Sequence, residues 1–375
     1  MVNLSCLAPL RYLQGKNLLF RLGEFLKEIG ENPVFLADKV VTSIIKDRVE
    51  ESLYKSGFLL KFITFRGECC EPEIERVTEQ VKKEKADLIV GCGGGKTIDT
   101  ARAAARFAGV SLVAIPTSAA TCSAWSSTCP LYAPEGEYLR TLELNKNPEL
   151  VLVDSQVIAS APVRLLSSGM GDSLAKWYEG EVTSRGKEKD PSVNVALCLS
   201  QKLREIIEEN GPQAKIDTER KICSPEVERI IHANIVLAGL IGRLGGKSFR
   251  SAAAHAFNYS LTSISPTGSF LHGEGVAVGI LVQFLLQGKS EEEFFKLVHF
   301  YRKIGLPCSL EELGIHLKDE DIEKISERFF KPGSSVYNLP FSVDVKMFRE
   351  AIFEVNNLVK IFSRRSKFDD SIIAS

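Results

Sequence analysis

The chain has 375 residues, 44% of them hydrophobic and 25% charged, which are ordinary proportions for a folded globular protein. Its 47 basic and 48 acidic residues leave a formal net charge of -1, which excludes a strong field toward nucleic acid or an anionic membrane. No uninterrupted apolar run approaches the roughly 18 residues of a membrane-spanning helix. The length favours two domains over one.

The first 160 residues alternate short apolar runs with amphipathic stretches. Strands are expected at 32–38, 58–65, 86–90, 111–117 and 150–154, and helices at 42–56, 71–85 and 97–108. Because the strands are almost continuously apolar and alternate with helices, they predict a parallel sheet covered on both faces. Residues 1–160 are therefore expected to form an α/β domain.

The pattern changes after Ala161-Pro162, where strand signals almost vanish. Helical periodicity covers 172–184, 192–209, 225–242, 250–262, 272–288, 291–304, 319–329 and 343–358. Residues 161–375 are therefore expected to form an all-α domain.

A glycine cluster follows the strand expected at 86–90, in the sequence Gly91-Cys92-Gly93-Gly94-Gly95-Lys96-Thr97. The P-loop pattern fails because Val90 stands where its first glycine belongs, and Gly-x-Gly-x-x-Gly fails at Lys96. Glycines at a strand end still let backbone amides approach a pyrophosphate, and the following helix N-terminus favours the anion. The alternative is a tight turn without a ligand. Four glycines in five positions exceed what a turn needs, so the cluster predicts a phosphate site.

Asp38 ends the first expected strand. A carboxylate at this place can accept a hydrogen bond from an adenosine ribose and repel a 2′-phosphate, which favours NAD over NADP. The alternative is an acidic residue that only terminates the strand.

Three residues far apart form a possible metal-binding set. They are Asp172 in Gly-Met-Gly-Asp, His255 in Ala-Ala-Ala-His and His272 in Leu-His-Gly-Glu-Gly. One carboxylate and two imidazoles leave a divalent metal an open position for a substrate oxygen. Taken singly, each histidine could be a core residue and Asp172 a helix cap. The other three of the five histidines lie in charged surroundings typical of solvated faces: His232, His299 and His316.

Further motifs complete a family resemblance. They are Arg66-Gly67-Glu68-Cys69, Gly93-Gly94-Gly95-Lys96-Thr97-Ile98-Asp99-Thr100-Ala101, Ile115-Pro116-Thr117, Asn147-Pro148-Glu149-Leu150-Val151-Leu152-Val153-Asp154, Ala161-Pro162-Val163-Arg164 and Gly169-Met170-Gly171-Asp172. With these motifs and the segments around His255 and His272 in order, the chain resembles the iron-containing alcohol dehydrogenase superfamily. The resemblance is to its glycerol dehydrogenase branch and extends over nearly the full length.

The resemblance implies a dehydroquinate synthase-like fold, with an N-terminal dinucleotide-binding domain, a helical C-terminal domain and an active site between them. It implies NAD, with NADP possible, and a divalent metal on Asp172, His255 and His272. This metal is usually zinc in this branch and iron in others. A homo-oligomer is also implied. The positions that would contact the cofactor are Asp38, Gly93, Gly94, Gly95, Lys96, Asp99, Thr117, Ala120, Ser126 and Tyr132.

One segment departs from the branch. Glycerol dehydrogenases carry Ser-Thr-Asp-Ala-Pro, whose Asp reaches glycerol, where this chain has Ala120-Thr121-Cys122-Ser123-Ala124-Trp125. Cys122 removes both an acceptor for polyol hydroxyls and an anion that would repel an acidic substrate. Together with Ala175-Lys176-Trp177-Tyr178-Glu179, the segment resembles a subgroup that acts on 2-hydroxy and 2-oxo acids. The expected activity is therefore reversible hydride transfer between a nicotinamide cofactor and such an acid.

Three alternatives remain open. The chain could be a true glycerol dehydrogenase, interconverting glycerol and dihydroxyacetone. A phosphate-handling relative, such as a dehydroquinate synthase-type lyase or glycerol-1-phosphate dehydrogenase, would need a cluster of basic residues that Arg250-Ser251-Ala252 does not supply. A non-catalytic nucleotide-binding protein would leave the metal-binding set unexplained.

Cysteine usage indicates the compartment. The nine cysteines are odd in number and include no Cys-x-x-Cys pair, which argues against both a disulfide framework and a thiolate zinc site. The N-terminal residues also lack the pattern of a secretory signal, so we expect a cytoplasmic protein.

Overall fold

The computed structural model describes residues 7–187, 190–265 and 270–373. Met1 to Cys6, part of the segment without a secretory pattern, lie outside these ranges. A six-stranded parallel sheet forms the N-terminal part. Its strands are β1 (Arg11–Gly15), β2 (Pro33–Ala37), β3 (Phe62–Thr64), β4 (Leu88–Gly93), β5 (Ser111–Pro116) and β8 (Leu150–Asp154). Strands β6 (Thr128–Tyr132) and β7 (Tyr138–Glu143) form a separate antiparallel hairpin.

Within the described residues, five α-helices accompany the sheet. They are α1 (Leu22–Leu26), α2 (Lys39–Ser56), α3 (Glu71–Lys83), α4 (Gly95–Ala108) and α5 (Ser155–Ser160). Along β8 the buried side chains alternate between faces, with Leu150 and Leu152 in one apolar cluster and Val151 and Val153 in another. This two-residue period buries both sides of the sheet.

The strand order β1-β8-β5-β4-β2-β3 reverses direction between β2 and β4. The connection after β2 leads to β3 on one side of this pair, and the connection after β4 leads to β5 on the other side. Because the two connections diverge, they leave a crevice at the carboxyl ends of β2 and β4. Open parallel sheets bind their ligands in such a crevice. Asp38 and the glycine cluster are the residues that follow β2 and β4.

The described residues after Ser160 form helices and no strand. The helices are α6 (Val163–Thr183), α7 (Pro191–Glu219), α8 (Pro225–His232), α9 (Ala238–Leu244), α10 (Lys247–Arg250), α11 (Ala253–Leu261), α12 (His272–Leu286), α13 (Glu291–Ile304), α14 (Asp319–Phe329) and α15 (Val345–Ile373). A π-helical turn, Ala233–Leu237, joins α8 to α9. Throughout the described ranges, no helix combines the length and the apolar character that crossing a membrane requires.

The observed architecture confirms the expected fold class, and the differences are local. The strand expected at 58–65 is reduced to β3, and the helix expected to start at 172 starts nine residues earlier, at Val163. Two features were not anticipated. β1 pairs with β8 at the sheet edge, and the β6–β7 hairpin stands apart from the sheet. β1 reads Arg-Tyr-Leu-Gln-Gly, too polar to give the apolar run that marked the central strands.

Candidate active site

A cleft of about 970 Å³ lies between the carboxyl ends of the sheet and the helices of the C-terminal part. Twelve of the residues singled out from the sequence line it: Asp38, Gly94, Gly95, Lys96, Asp99, Ala120, Cys122, Ser126, Tyr132, Asp172, His255 and His272. Gly93 and Thr117 do not. They bond to each other at the ends of β4 and β5, the Thr117 amide donating to the Gly93 carbonyl at 3.1 Å.

The crevice between β2 and β4 forms the first wall of the cleft. Gly94 is the extended N-cap residue of α4, and no side chain of the described residues caps this helix. The first-turn amides of α4 are therefore suited to an anion. Asp38 stands across the crevice, and its Oδ1 accepts a hydrogen bond of 2.8 Å from the Val41 amide. The wall thus offers amides for a pyrophosphate beside a carboxylate placed for a ribose.

Lys96 and Asp99 differ in how they face this wall. Lys96 Nζ donates to Glu68 Oε2 at 2.6 Å and lies 5.4 Å from the centre of the Tyr132 ring. Asp99 is buried and makes an ion pair with the fully buried Arg102. Lys96 keeps a positive charge near the glycine cluster. The carboxylate of Asp99 is directed to Arg102, so its contact with a cofactor stays a prediction.

The second wall holds the three possible metal ligands. Asp172 lies in the middle of α6, His255 in α11 and His272 at the start of α12. Asp172 Oδ1 is 3.3 Å from His255 Nε2 and 3.7 Å from His272 Nε2. One possible ligand atom from each of the three residues lies within 4.8 Å of the other two. Donors at these separations can share one cation.

Close helix packing brings these residues together. A Cβ added to Gly273 would lie 1.8 Å from the Ser168 carbonyl oxygen of α6, and one added to Gly279 would lie 2.4 Å from the Ala254 carbonyl oxygen of α11. Any side chain at either position would push α12 away from its neighbours. Glycine therefore allows three helices to approach closely enough for Asp172, His255 and His272 to converge.

Neighbouring polar groups orient both imidazoles. Glu179 Oε2 lies 2.5 Å from His255 Nδ1, and its other oxygen accepts hydrogen bonds from the Ala252 and His255 amides. The Asn258 amide lies 3.0 Å from His272 Nδ1. In each case Nδ1 is engaged away from Asp172 and Nε2 faces it. This is the arrangement in which histidines usually bind a metal.

The donor set fits a divalent cation. Two buried carboxylates, Asp172 and Glu179, stand beside one lysine, Lys176, so neutral histidines leave a net negative site. Asn258 Oδ1 is buried without a hydrogen-bond partner among the described residues. With the amide turned so that this oxygen accepts from Nδ1–H of His272, the oxygen is satisfied and Nε2 keeps its lone pair. Two Nε2 atoms and one carboxylate would then hold the metal.

Lys176 lies one helical turn after Asp172 and donates to its Oδ1 at 3.1 Å. Burial alone would raise the pKa of Asp172, but Lys176 and the two histidines reverse this and hold it well below its usual range. Burial alone would lower the pKa of Lys176. The negative charge of Asp172 has the opposite and larger effect, so the pKa of Lys176 is raised. Both groups are charged at neutral pH.

Cys122 lies on the loop between β5 and β6, beside the second wall. Asn234 Nδ2 donates to the Ala119 carbonyl at 3.0 Å, and Arg102 donates to the carbonyls of Ser123 and Thr128. Burial is the largest cause that raises the pKa of Cys122 to about 11, and nearby cations only partly offset it. The thiol is therefore neutral where glycerol dehydrogenases carry a carboxylate.

Several residues of the second wall were not assigned a role from the sequence. Lys176 and Glu179 follow Asp172 by four and seven positions, a spacing that places them on one helix face. Asn258 follows His255 by three positions, which likewise places the two on one helix face. Arg250, whose segment is too poor in basic residues for a phosphate cluster, also lines the cleft. The remaining histidines are exposed, as expected: His232, His299 and His316.

Known proteins match the chain over most of its length. Residues 9–155 match the family described as iron-containing alcohol dehydrogenase. A glycerol dehydrogenase from Pseudomonas putida is 36% identical over 363 residues, which cover 95% of this chain and 98% of that protein. Hydroxycarboxylate dehydrogenase A from Escherichia coli is 33% identical over 79% of this chain and 82% of its own length.

Solved structures agree with the sequence matches. The crystal structure of glycerol dehydrogenase from Schizosaccharomyces pombe superimposes with a TM-score of 0.89 at 29% identity, covering 97% of this chain and 93% of that chain. Sequence and structure together place the chain in the iron-containing alcohol dehydrogenase superfamily, in its glycerol dehydrogenase branch, as an NAD-linked oxidoreductase.

Proposed function

We propose that the enzyme interconverts a small 2-hydroxy acid and the corresponding 2-oxo acid, using NAD and a divalent metal, zinc, on Asp172, His255 and His272. The observation that carries this proposal is Cys122, a half-buried neutral thiol on the substrate side of the cleft. A carboxylate at this position would repel an acidic substrate, whereas a thiol leaves room for it. The similarity to hydroxycarboxylate dehydrogenase A supports the same substrate class.

When bound, the metal supplies Lewis acidity at the substrate oxygen and the nicotinamide gives or takes the hydride. The chain's own residues hold these partners in place. Glu179 and Asn258 fix the two imidazoles. The α4 amides and Asp38 fix the dinucleotide at the carboxyl ends of β4 and β2. Lys176 stays protonated beside Asp172 and contributes positive charge where the oxygen becomes anionic during oxidation.

Zinc agrees with the donor set and with the chemistry. Two histidines and one acidic residue form a common catalytic zinc site, and hydride transfer needs no change in the oxidation state of the metal. The same donors also suit ferrous iron. Elemental analysis of the protein purified without added metal, followed by reconstitution with each ion, separates the two.

Glycerol oxidation is the second candidate, because relatives such as the Pseudomonas putida protein are named glycerol dehydrogenases. Turnover of 2-oxo acids and of dihydroxyacetone by the metal-loaded enzyme decides between them. We expect a higher kcat/KM for the 2-oxo acids, and a preference for dihydroxyacetone would contradict the proposal. The variant Cys122→Asp restores the carboxylate and should shift the preference toward dihydroxyacetone. Cys122→Ser, which keeps a small neutral side chain, is the matched control.

A further inference from the structure

Two buried or half-buried cations face the substrate side of the cleft. Lys176, on α6, is 5% exposed, and Arg250, at the end of α10, has a side chain 23% exposed. Both line the cleft together with the three possible metal ligands, and both lie near enough to Cys122 for their charges to act on its thiol. Cys122 is thus a neutral side chain that shares the cleft with two positive ones.

Neither cation is saturated by the acidic residues that pair with it. Lys176 has three N–H donors and gives one to Asp172 at 3.1 Å. Arg250 forms an ion pair with Glu143 Oε1 at 3.9 Å, which is too long for a hydrogen bond. A guanidinium has five N–H donors in a fork that matches a carboxylate. The pair is therefore suited to an anion brought by a ligand.

The position of Lys176 sets where that anion belongs. Its Nζ atom is one hydrogen bond from Asp172 Oδ1, so it lies beside the place where the substrate oxygen must bind. In a 2-oxo acid the carboxylate is bonded directly to the reacting carbonyl carbon. When the carbonyl faces Asp172, His255 and His272, we expect the adjacent carboxylate to reach Lys176. Arg250 lines the same cleft and supplies the second cation.

We propose that Lys176 and Arg250 form a carboxylate clamp, and that Arg250 is the residue that sets the preference for 2-oxo acids over neutral ketones. This inference rests on the proposed function and adds the residues responsible for it. The substrate supplies the negative charge that glycerol dehydrogenases carry on the protein at the position of Cys122.

The test compares two substrates that differ only in the group that the clamp would bind. 2-Oxobutanoate carries a carboxylate where 1-hydroxy-2-butanone carries a hydroxymethyl group. Arg250→Gln should raise KM for 2-oxobutanoate roughly ten- to hundredfold, the loss expected for a charged hydrogen-bonded pair, and leave kcat/KM for 1-hydroxy-2-butanone almost unchanged. Arg250→Lys should recover part of the loss. Arg185→Gln is the matched control, because Arg185 is an exposed arginine paired with Glu181 and does not line the cleft.

Binding provides a second readout without turnover. Titration calorimetry of 2-oxobutanoate into the metal-loaded enzyme with NAD⁺, where no hydride is available, should show the same loss of affinity in Arg250→Gln. In the Cys122→Asp background the effect of Arg250→Gln should shrink, since the new carboxylate already occupies the clamp.

Three results would overturn the clamp. If Arg250→Gln lowers kcat/KM equally for both substrates, Arg250 is only structural. If the wild-type enzyme prefers 2-oxobutanoate and Arg250→Gln keeps that preference, the clamp is wrong while the proposed function stands. If the wild-type enzyme prefers 1-hydroxy-2-butanone, both are wrong.

Discussion

The two walls of the cleft are built in different ways. The first wall is the cofactor wall, and the second, which holds the three possible metal ligands, is the substrate wall. The cofactor wall presents backbone amides and small side chains from short continuous segments that follow β2, β4 and β5. The substrate wall brings together charged and polar side chains from α6, α11 and α12, and its most distant members, Asp172 and His272, are 100 positions apart. A wall of the first kind depends on local backbone conformation, whereas the second depends on how closely the helices pack.

The difference also appears in the electrostatics. On the cofactor side the carboxylate of Asp38 is half-buried and caps a helix. On the substrate side, Asp172 and Glu179 are buried, and each is balanced by a specific cationic or imidazole partner. Buried charges tolerate the loss of a partner poorly. Apart from the buried pair Asp99–Arg102, which lies behind the cofactor wall, single substitutions should therefore have larger effects on the substrate wall than on the cofactor wall.

The largest effect is expected for His255→Ala, which removes one of the three proposed metal ligands. Turnover should fall by roughly 10³-fold or more, because polarisation of the substrate oxygen contributes several kcal/mol to the barrier. Elemental analysis should show a parallel loss of bound metal. His299→Ala, at an exposed histidine of α13, is the control and should keep both. A metal-free His255→Ala enzyme with normal turnover would contradict the metal role.

Arg102 tests the connection between the walls, since it joins α4 to the loop that carries Cys122. Arg102→Met should destabilise the protein by about 3–5 kcal/mol, because Asp99 is left as an unpaired buried charge. The change in the free energy of unfolding is measured by urea or thermal unfolding. The double variant Asp99→Leu/Arg102→Met should recover much of this loss. If the single variant is as stable as the wild type, the ion pair is not structurally important.

Glu179→Gln weakens the support of His255 without removing a ligand. The neutral amide holds the imidazole less firmly, so metal affinity should fall roughly 10- to 100-fold in competition with a chelator. Glu181→Gln changes an exposed glutamate of the same helix and should have no effect. Equal affinities in all three proteins would show that Glu179 does not act through the metal.

The smallest effect is expected on the cofactor wall, at Asp38. Asp38→Ser removes the repulsion of a 2′-phosphate, a change of about 1–2 kcal/mol near a solvated surface. The ratio of kcat/KM for NADP to that for NAD should rise roughly tenfold. Asp47→Ser, farther along α2, serves as the control. An unchanged ratio would mean that Asp38 only caps α2.

The sequence predicted the first wall better than the second. The strand–helix alternation is a local signal, and it predicted the fold class correctly. The glycine cluster and Asp38 are local signals as well, and the structure places both in the cleft, while their contacts with a cofactor stay predictions. Gly93 and Thr117 bond to each other and do not line the cleft, so their contact with a cofactor also stays a prediction. The expected cytoplasmic location and homo-oligomer stay predictions.

The second wall could be predicted only as a set of possible ligands. Convergence of Asp172, His255 and His272 requires helix contacts at Gly273 and Gly279, which no local pattern reveals. Lys176 and Glu179 could have been found from their spacing after Asp172. Arg250 could not, because its place in the cleft with Cys122 depends on how the C-terminal helices pack against the N-terminal part.

The most direct test of the relation between the walls is a crystal structure with NADH and oxamate, an unreactive analogue of a 2-oxo acid, recorded at the zinc absorption edge. We predict an anomalous peak about 2.0–2.2 Å from Asp172 Oδ1 and the two Nε2 atoms. The oxamate carboxylate should contact Lys176 and Arg250, and the pyrophosphate should lie on the α4 amides. A metal bound elsewhere, or a carboxylate turned away from both cations, would contradict the proposed chemistry.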